Sequence, residues 1–201
     1  MSKDLRSAPQ QVRLIAGSWK RTPLPILPAT GLRPTPSRVR ETVFSWLTHL
    51  LDDRWETVAC LDLFAGSGAL GFEAASRGAH RAVLIEQSAA VAQQLDVIRA
   101  KLDAAQVTIL RGDAIKSAQR LLGQAERFDL IFVDPPYGYG LLPAILPLCA
   151  GLLSVDGMVY VEAELALDTE PPPAWMQEWE VIRNSRAGQV FFHLLRRRNS
   201  L

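Results

Sequence analysis

At 201 residues, with 48% hydrophobic and 21% charged side chains, the chain is the size of one globular domain with a short appendage and has ample material for a core. No apolar run reaches the roughly 18 residues that span a bilayer, and the first residues, MSKDLRSAPQQVR, lack the apolar stretch of a signal peptide, so a cytoplasmic location is expected. The net charge of +1 conceals an uneven distribution: residues 1–40 carry eight Lys or Arg against Asp4 alone, residues 181–201 carry five Arg and no acid, and residues 41–180 carry nine bases against twenty acids. Two basic ends on an acidic body suit a polyanion gripped by the ends, although solvated tails give the same count. Cys60 and Cys149 sit in apolar segments and read as buried thiols. His49, His80 and His193 share no metal-ligand spacing, so no metal is expected. Nothing suggests an oligomer, and a monomer is the default.

Taken in chain order, residues 11–16 (QVRLIA) alternate as a strand, and Gly17 with the proline-rich stretch 23–36 then breaks regular structure. From Ser37, an N-cap residue, Val39, Val43, Phe44, Trp46, Leu47 and Leu50 fall at helical spacing. Beyond residue 57, strand-length apolar runs at 58–64, 82–85, 107–110, 128–133 and 157–161 alternate with helical stretches near 68–77, 88–103, 113–123 and 139–152. That rhythm predicts a parallel sheet covered by helices on both faces. Segments 177–183 and 189–195, separated by the turn from Asn184 to Gly188, read as a closing antiparallel hairpin. The expected fold is therefore α/β, a mostly parallel seven-stranded sheet in the arrangement that resembles the Rossmann-like class I methyltransferase fold. Residues 1–50 form a basic extension, and 51–201 the catalytic domain.

In such a sheet the ligand lies at the carboxyl ends of the strands, so the loops there carry the chemistry. The first holds Phe64-Ala65-Gly66-Ser67-Gly68-Ala69-Leu70-Gly71, with G-x-G-x-x-G spacing that brings a nucleotide-like ligand onto a helix N-terminus. Asp62 before it disfavours a pyrophosphate but suits the ammonium group of S-adenosylmethionine. Glu86, followed by Gln87, closes the second strand where a carboxylate accepts both ribose hydroxyls. Asp113 and Ala114 follow the third, where Asp113 can meet the adenine amino group or cap the next helix. After the fourth strand stands Asp134-Pro135-Pro136-Tyr137. The prolines stiffen the loop and donate no hydrogen bonds. The Asp134 carboxylate and Pro135 carbonyl can then accept both hydrogens of a planar amine, while Tyr137 offers a face for a base to stack on.

A narrower likeness covers nearly the whole chain. Val12-Arg13-Leu14-Ile15-Ala16-Gly17-Ser18-Trp19-Lys20, Gly31-Leu32-Arg33-Pro34-Thr35, Arg38-Val39-Arg40-Glu41-Thr42-Val43-Phe44, residues 61–71 and Ala187-Gly188-Gln189-Val190 resemble the RsmD family. The resemblance implies methyl transfer from S-adenosylmethionine to N2 of a guanine in 16S ribosomal RNA, with the small subunit or an assembly intermediate as partner. It places the guanine on Asp134, Pro135, Pro136 and Tyr137. The cofactor falls to Asp62, residues 64–68, Gly71, Glu86, Gln87, Asp113 and Ala114, and the RNA to Arg13, Lys20, Arg21, Arg33, Arg38 and Arg40. Ser37 departs from the family pattern, which has an acidic residue there. Competing readings are an N6-adenine DNA methyltransferase, a protein glutamine N5-methyltransferase, an NAD-dependent oxidoreductase and a non-catalytic assembly factor. No insertion is large enough for a DNA target-recognition segment, Asn usually opens the tetrapeptide of the glutamine enzymes, and D-P-P-Y has no part in hydride transfer.

Overall fold

The computed structural model describes residues 11–27 and 35–198. Among these residues nine strands and five α-helices follow one another: β1 (Gln11–Arg13), β2 (Pro23–Pro25), α1 (Ser37–Leu50), β3 (Ala59–Asp62), α2 (Ala69–Arg77), β4 (Arg81–Glu86), α3 (Ala89–Lys101), β5 (Val107–Arg111), α4 (Ala114–Gly123), β6 (Phe128–Val133), α5 (Leu142–Leu152), β7 (Leu153–Ala163), β8 (Trp179–Ala187) and β9 (Val190–Arg197). Seven strands form one sheet in the order β5-β4-β3-β6-β7-β9-β8. The first five are parallel, and β9 runs antiparallel to both β7 and β8. This is the Rossmann-like class I methyltransferase arrangement. Strand order reverses between β3 and β6, which opens a crevice at their carboxyl ends.

The two-residue period of each strand divides the core. Cys60, Ala82, Leu84, Leu130 and Phe132 face α1, α2 and α3, whereas Leu61, Val83, Ile85, Ile131 and Val133 face α4 and α5. Both faces are covered, so the strands are apolar on both sides. Phe44 of α1 lies 5.8 Å, ring to ring, from both Trp55 and Phe132, which seats that helix on the sheet. Each such fully buried ring is worth roughly 2–3 kcal/mol of transfer free energy.

Four expectations need correction. Strand pairing at the N-terminus ends at Arg13, and its partner is β2, inside the proline-rich stretch expected to be irregular. Prolines are tolerated there because a two-stranded ribbon is all edge. Helix α1 is capped at Pro36 without a side-chain hydrogen bond, so Ser37 is its first residue rather than its cap. Strand β7 starts four residues before 157. Finally, β8 continues through 184–187, leaving only Gly188 and Gln189 as the turn, because polar residues on an outer strand can pair as readily as apolar ones.

The extension packs into the same core as the sheet: Val12, Leu14 and Leu24 join the cluster under α1 and α2. Its polar fastening lies on α2. The buried Glu73 carboxylate accepts from the Ile15 N–H at 2.6 Å and the Ala16 N–H at 3.0 Å, and pairs with Arg77 at 2.8 Å. Ser76 donates its hydroxyl to the Ala16 carbonyl at 2.6 Å and accepts from the Trp19 N–H at 3.0 Å. Gly17 is required here: a Cβ on it would stand 1.8 Å from the Ser76 carbonyl oxygen. Among the described residues, no helix is long and apolar enough to cross a membrane.

Candidate active site

A cavity of about 470 Å³ opens at the carboxyl ends of the parallel strands, within the usual range for small-molecule sites. Phe64, Ala65, Gly66 and Ser67 line it from the loop after β3, Glu86 and Gln87 from the end of β4, and Asp113 and Ala114 from the start of α4. Asp134, Pro135, Pro136 and Tyr137 line its other half. The four loops singled out by the sequence therefore meet in one space.

Glu86 braces that space. Its carboxylate accepts from the Gly66 N–H at 3.0 Å and the Ser88 N–H at 2.7 Å. A carboxylate has about four acceptor positions, which leaves capacity for a pair of ribose hydroxyls. Asp113 caps α4, accepting from the Lys116 N–H at 2.9 Å, and still faces the cavity. Helix α2 starts at Gly68 with no side-chain cap, so its positive end is available to a ligand carboxylate.

Three residues of the glycine motif act from outside the cavity. Asp62, Gly68 and Gly71 are absent from its lining. The Asp62 carboxylate is buried under the loop, where one oxygen accepts from the Gly71 N–H at 3.0 Å and ties the loop to β3. Burial pushes the Asp62 carboxyl up to about 7, helped by the Glu86 charge and opposed by the N–H groups of Gly71 and Phe64. Gly71 lets α2 lie on the sheet: a Cβ would meet Leu84 at 2.6 Å.

The half of the cavity lined by Asp134–Tyr137 holds two residues that sequence reasoning missed. Thr35 donates its hydroxyl to Asp134 at 3.1 Å across 99 residues of chain, and Glu162, buried at the end of β7, lines the cavity. The Tyr160 hydroxyl donates to Glu162 at 2.8 Å. Burial first, then the Glu162 charge, raises the Asp134 carboxyl well above the usual carboxylate range, with the Thr35 hydrogen bond opposing. Burial, then the Glu162 and Asp134 charges, raises Tyr160, which stays a neutral donor. The available signal for Glu162 was an acid inside the apolar run VYVEA.

Of the cations assigned to RNA, Arg13, Lys20, Arg21 and Arg38 are exposed, and Arg33 lies outside the described residues. Arg40 is a correction: it is fully buried, donates from Nη1 to the Arg13 carbonyl at 3.0 Å, and cannot reach a surface phosphate as placed. It falls on the core-facing side of α1 between Val39 and Val43. Burial lowers its pKa, against the charges of Glu73 and Glu41. No group of His, Cys, Asp and Glu among the described residues could hold a metal ion.

The sheet order, the glycine loop and the acceptor-lined cavity define a class I methyltransferase. The family described as Conserved hypothetical protein 95 matches residues 12–196. Ribosomal RNA small subunit methyltransferase D of Escherichia coli is 40% identical over 98% of this chain and 96% of its own length. The enzyme of that name from Haemophilus influenzae is 35% identical over 94% and 95%. The chain belongs to this family, the RsmD family. A solved structure from Escherichia coli, described as a methyltransferase, superposes with a TM-score of 0.76 at 40% identity, covering 93% of this chain and 98% of that one. The fold is also shared, at 14% identity and a TM-score of 0.64, by a solved structure described as a methyltransferase complexed with S-adenosylhomocysteine, over 94% of this chain and 57% of that one.

Proposed function

We propose that this protein transfers a methyl group from S-adenosylmethionine to the exocyclic N2 amine of a guanine in 16S ribosomal RNA of the small subunit. The observation that carries the reading is the opening of Asp134-Pro135-Pro136-Tyr137 into the same cavity as the glycine loop, Glu86 and Asp113. The relatives' names, small-subunit ribosomal RNA methyltransferases, support the substrate class.

The donor set fits the cofactor. Glu86 has acceptor capacity for ribose hydroxyls, Asp113 and Ala114 flank the adenine position, and the uncapped end of α2 suits a carboxylate. S-adenosylmethionine supplies an electrophilic methyl on a sulfonium, whose carbon–sulfur bond breaks as the carbon–nitrogen bond forms. The chain's residues prepare the nucleophile. The guanine leaves its stack and lies against Tyr137. Asp134 and the Pro135 carbonyl accept the two N2 hydrogens, so the nitrogen is held and its lone pair aimed; positioning and fixed dipoles are the main contributions. Thr35 fixes one Asp134 oxygen, leaving the other for the amine. The proton released from N2 passes to this carboxylate floor or to water. Residues 1–50, through Arg13, Lys20, Arg21, Arg33 and Arg38, form the RNA-facing extension.

The test is transfer of labelled methyl from S-adenosylmethionine to small subunits from cells lacking this protein, followed by nucleoside analysis. Label in N2-methylguanosine is expected. Label in another nucleoside keeps the class and discards the guanine-N2 reading. Asp134→Ala is expected to reduce transfer at least 100-fold while cofactor affinity, measured by calorimetry, changes less than about threefold.

A further inference from the structure

The floor of the amine-binding half carries two carboxylates. Asp134 suffices to orient an exocyclic amine, so the second acid needs its own explanation. Glu162 is 3% exposed, yet it lines the cavity. Burying a carboxylate at the end of an apolar strand is unfavourable unless hydrogen bonds compensate. The Tyr160 hydroxyl orients Glu162 by donating to Oε1, and Thr35 likewise orients Asp134. The result is a rigid surface of acceptors at the end of β6 and the adjacent end of β7.

Such a surface selects the base edge set against it. In guanine the N2 amine neighbours ring N1, which carries a hydrogen, so the edge is a run of donors. In adenine the ring nitrogen beside the amine is a bare lone pair, which a carboxylate repels. A site built to hydrogen-bond a substrate N–H rejects the analogue lacking it, because its own buried group is left unpaired. We propose that Glu162 is a specificity-determining residue that accepts the N1–H of the target guanine while Asp134 and the Pro135 carbonyl hold N2. The proposal rests on the guanine-N2 reading above and supplies the feature that would make the D-P-P-Y loop choose guanine over adenine.

The test uses small subunits reconstituted with 16S ribosomal RNA carrying either guanine or 2-aminopurine at the nucleotide methylated in the assay above. The analogue keeps the 2-amine but presents a lone pair at N1. The wild-type protein is expected to prefer guanine in kcat/KM by tenfold or more, since a lost base-edge pair is worth about 1–3 kcal/mol. Glu162→Gln, whose amide can donate to that lone pair, is expected to narrow or invert the ratio. Glu162→Asp keeps the acceptor and is expected to retain the guanine preference at a lower rate. Equal wild-type use of both bases, an unchanged ratio in Glu162→Gln, or a lost preference in Glu162→Asp would each overturn the assignment. Should Glu162→Gln be inactive on both, the wild-type and Glu162→Asp ratios decide. Failure of the underlying reading is distinguishable, because the wild-type protein would then leave no label at guanine N2.

Discussion

Burial holds the Asp62 carboxyl at about 7, well above its unfolded value near 3.9. A raised folded pKa means that the native state binds the proton more tightly than the unfolded chain. The associated stability is fully present below pH 4 and lost as pH rises through 7. Asp62→Asn, which keeps an acceptor for the Gly71 N–H, is therefore expected to flatten the fall in stability between pH 4 and 7. The full effect of such a shift is on the order of 4 kcal/mol, and urea titrations of both proteins across that range measure it. In the cavity, Glu162 helps raise Asp134. The acid limb of kcat/KM should thus lie above the ordinary carboxylate range and move to lower pH in Glu162→Gln, where the like charge is gone; an unmoved limb would uncouple the pair. The sequence disclosed Asp134 because a tetrapeptide carries its chemistry. It did not disclose Thr35 or Glu162, whose roles exist only after distant segments meet.

Helix α2 connects two jobs within nine residues. Its first turn follows the glycine loop that lines the cavity, and Glu73, Ser76 and Arg77 on its later turns fasten the extension. Glu73→Ala strips acceptors from two backbone N–H groups and removes the ion-pair partner of Arg77, which keeps its hydrogen bond to Thr48. The expected loss is roughly 2–4 kcal/mol in urea unfolding, with a smaller loss in Glu73→Gln. Periodicity found all five α-helices of the described residues, since each buries one face, but not the single turns at Trp55–Thr57 and Ala174–Met176. It misjudged strands where burial is weak: β2 is a three-residue proline-flanked ribbon, and residues 183–186 of β8 are exposed on the sheet's outer edge. Arg40 was misassigned because a basic residue in a helix is usually solvated, and only packing shows which face it occupies.

Across the whole molecule, charge is separated as the composition suggests, but the two basic ends are not equivalent. At the C-terminus, Arg197 and Arg198 donate to the carbonyls of Ala150 and Trp179, and Arg186 covers the Phe191 ring at 4.8 Å. Much of that end serves packing. The exposed Arg13, Lys20, Arg21 and Arg38 are better placed for RNA, and replacing the four with Ala is expected to lower the salt slope of subunit binding. Each lost phosphate contact accounts for about 0.7 to 0.9 of that slope. An unchanged slope would move the footprint elsewhere.

The shared core under α1 and α2 also limits how such a protein can diversify. An extension whose Val12, Leu14 and Leu24 fill the core beneath α1 and α2, and whose backbone is held by Glu73, is not a cassette. A graft from another methyltransferase would arrive without the complementary side chains and leave a hole in that shared core. Substitutions that alter what the extension contacts without disturbing the fold are therefore confined to its exposed side, where Arg13, Lys20 and Arg21 stand.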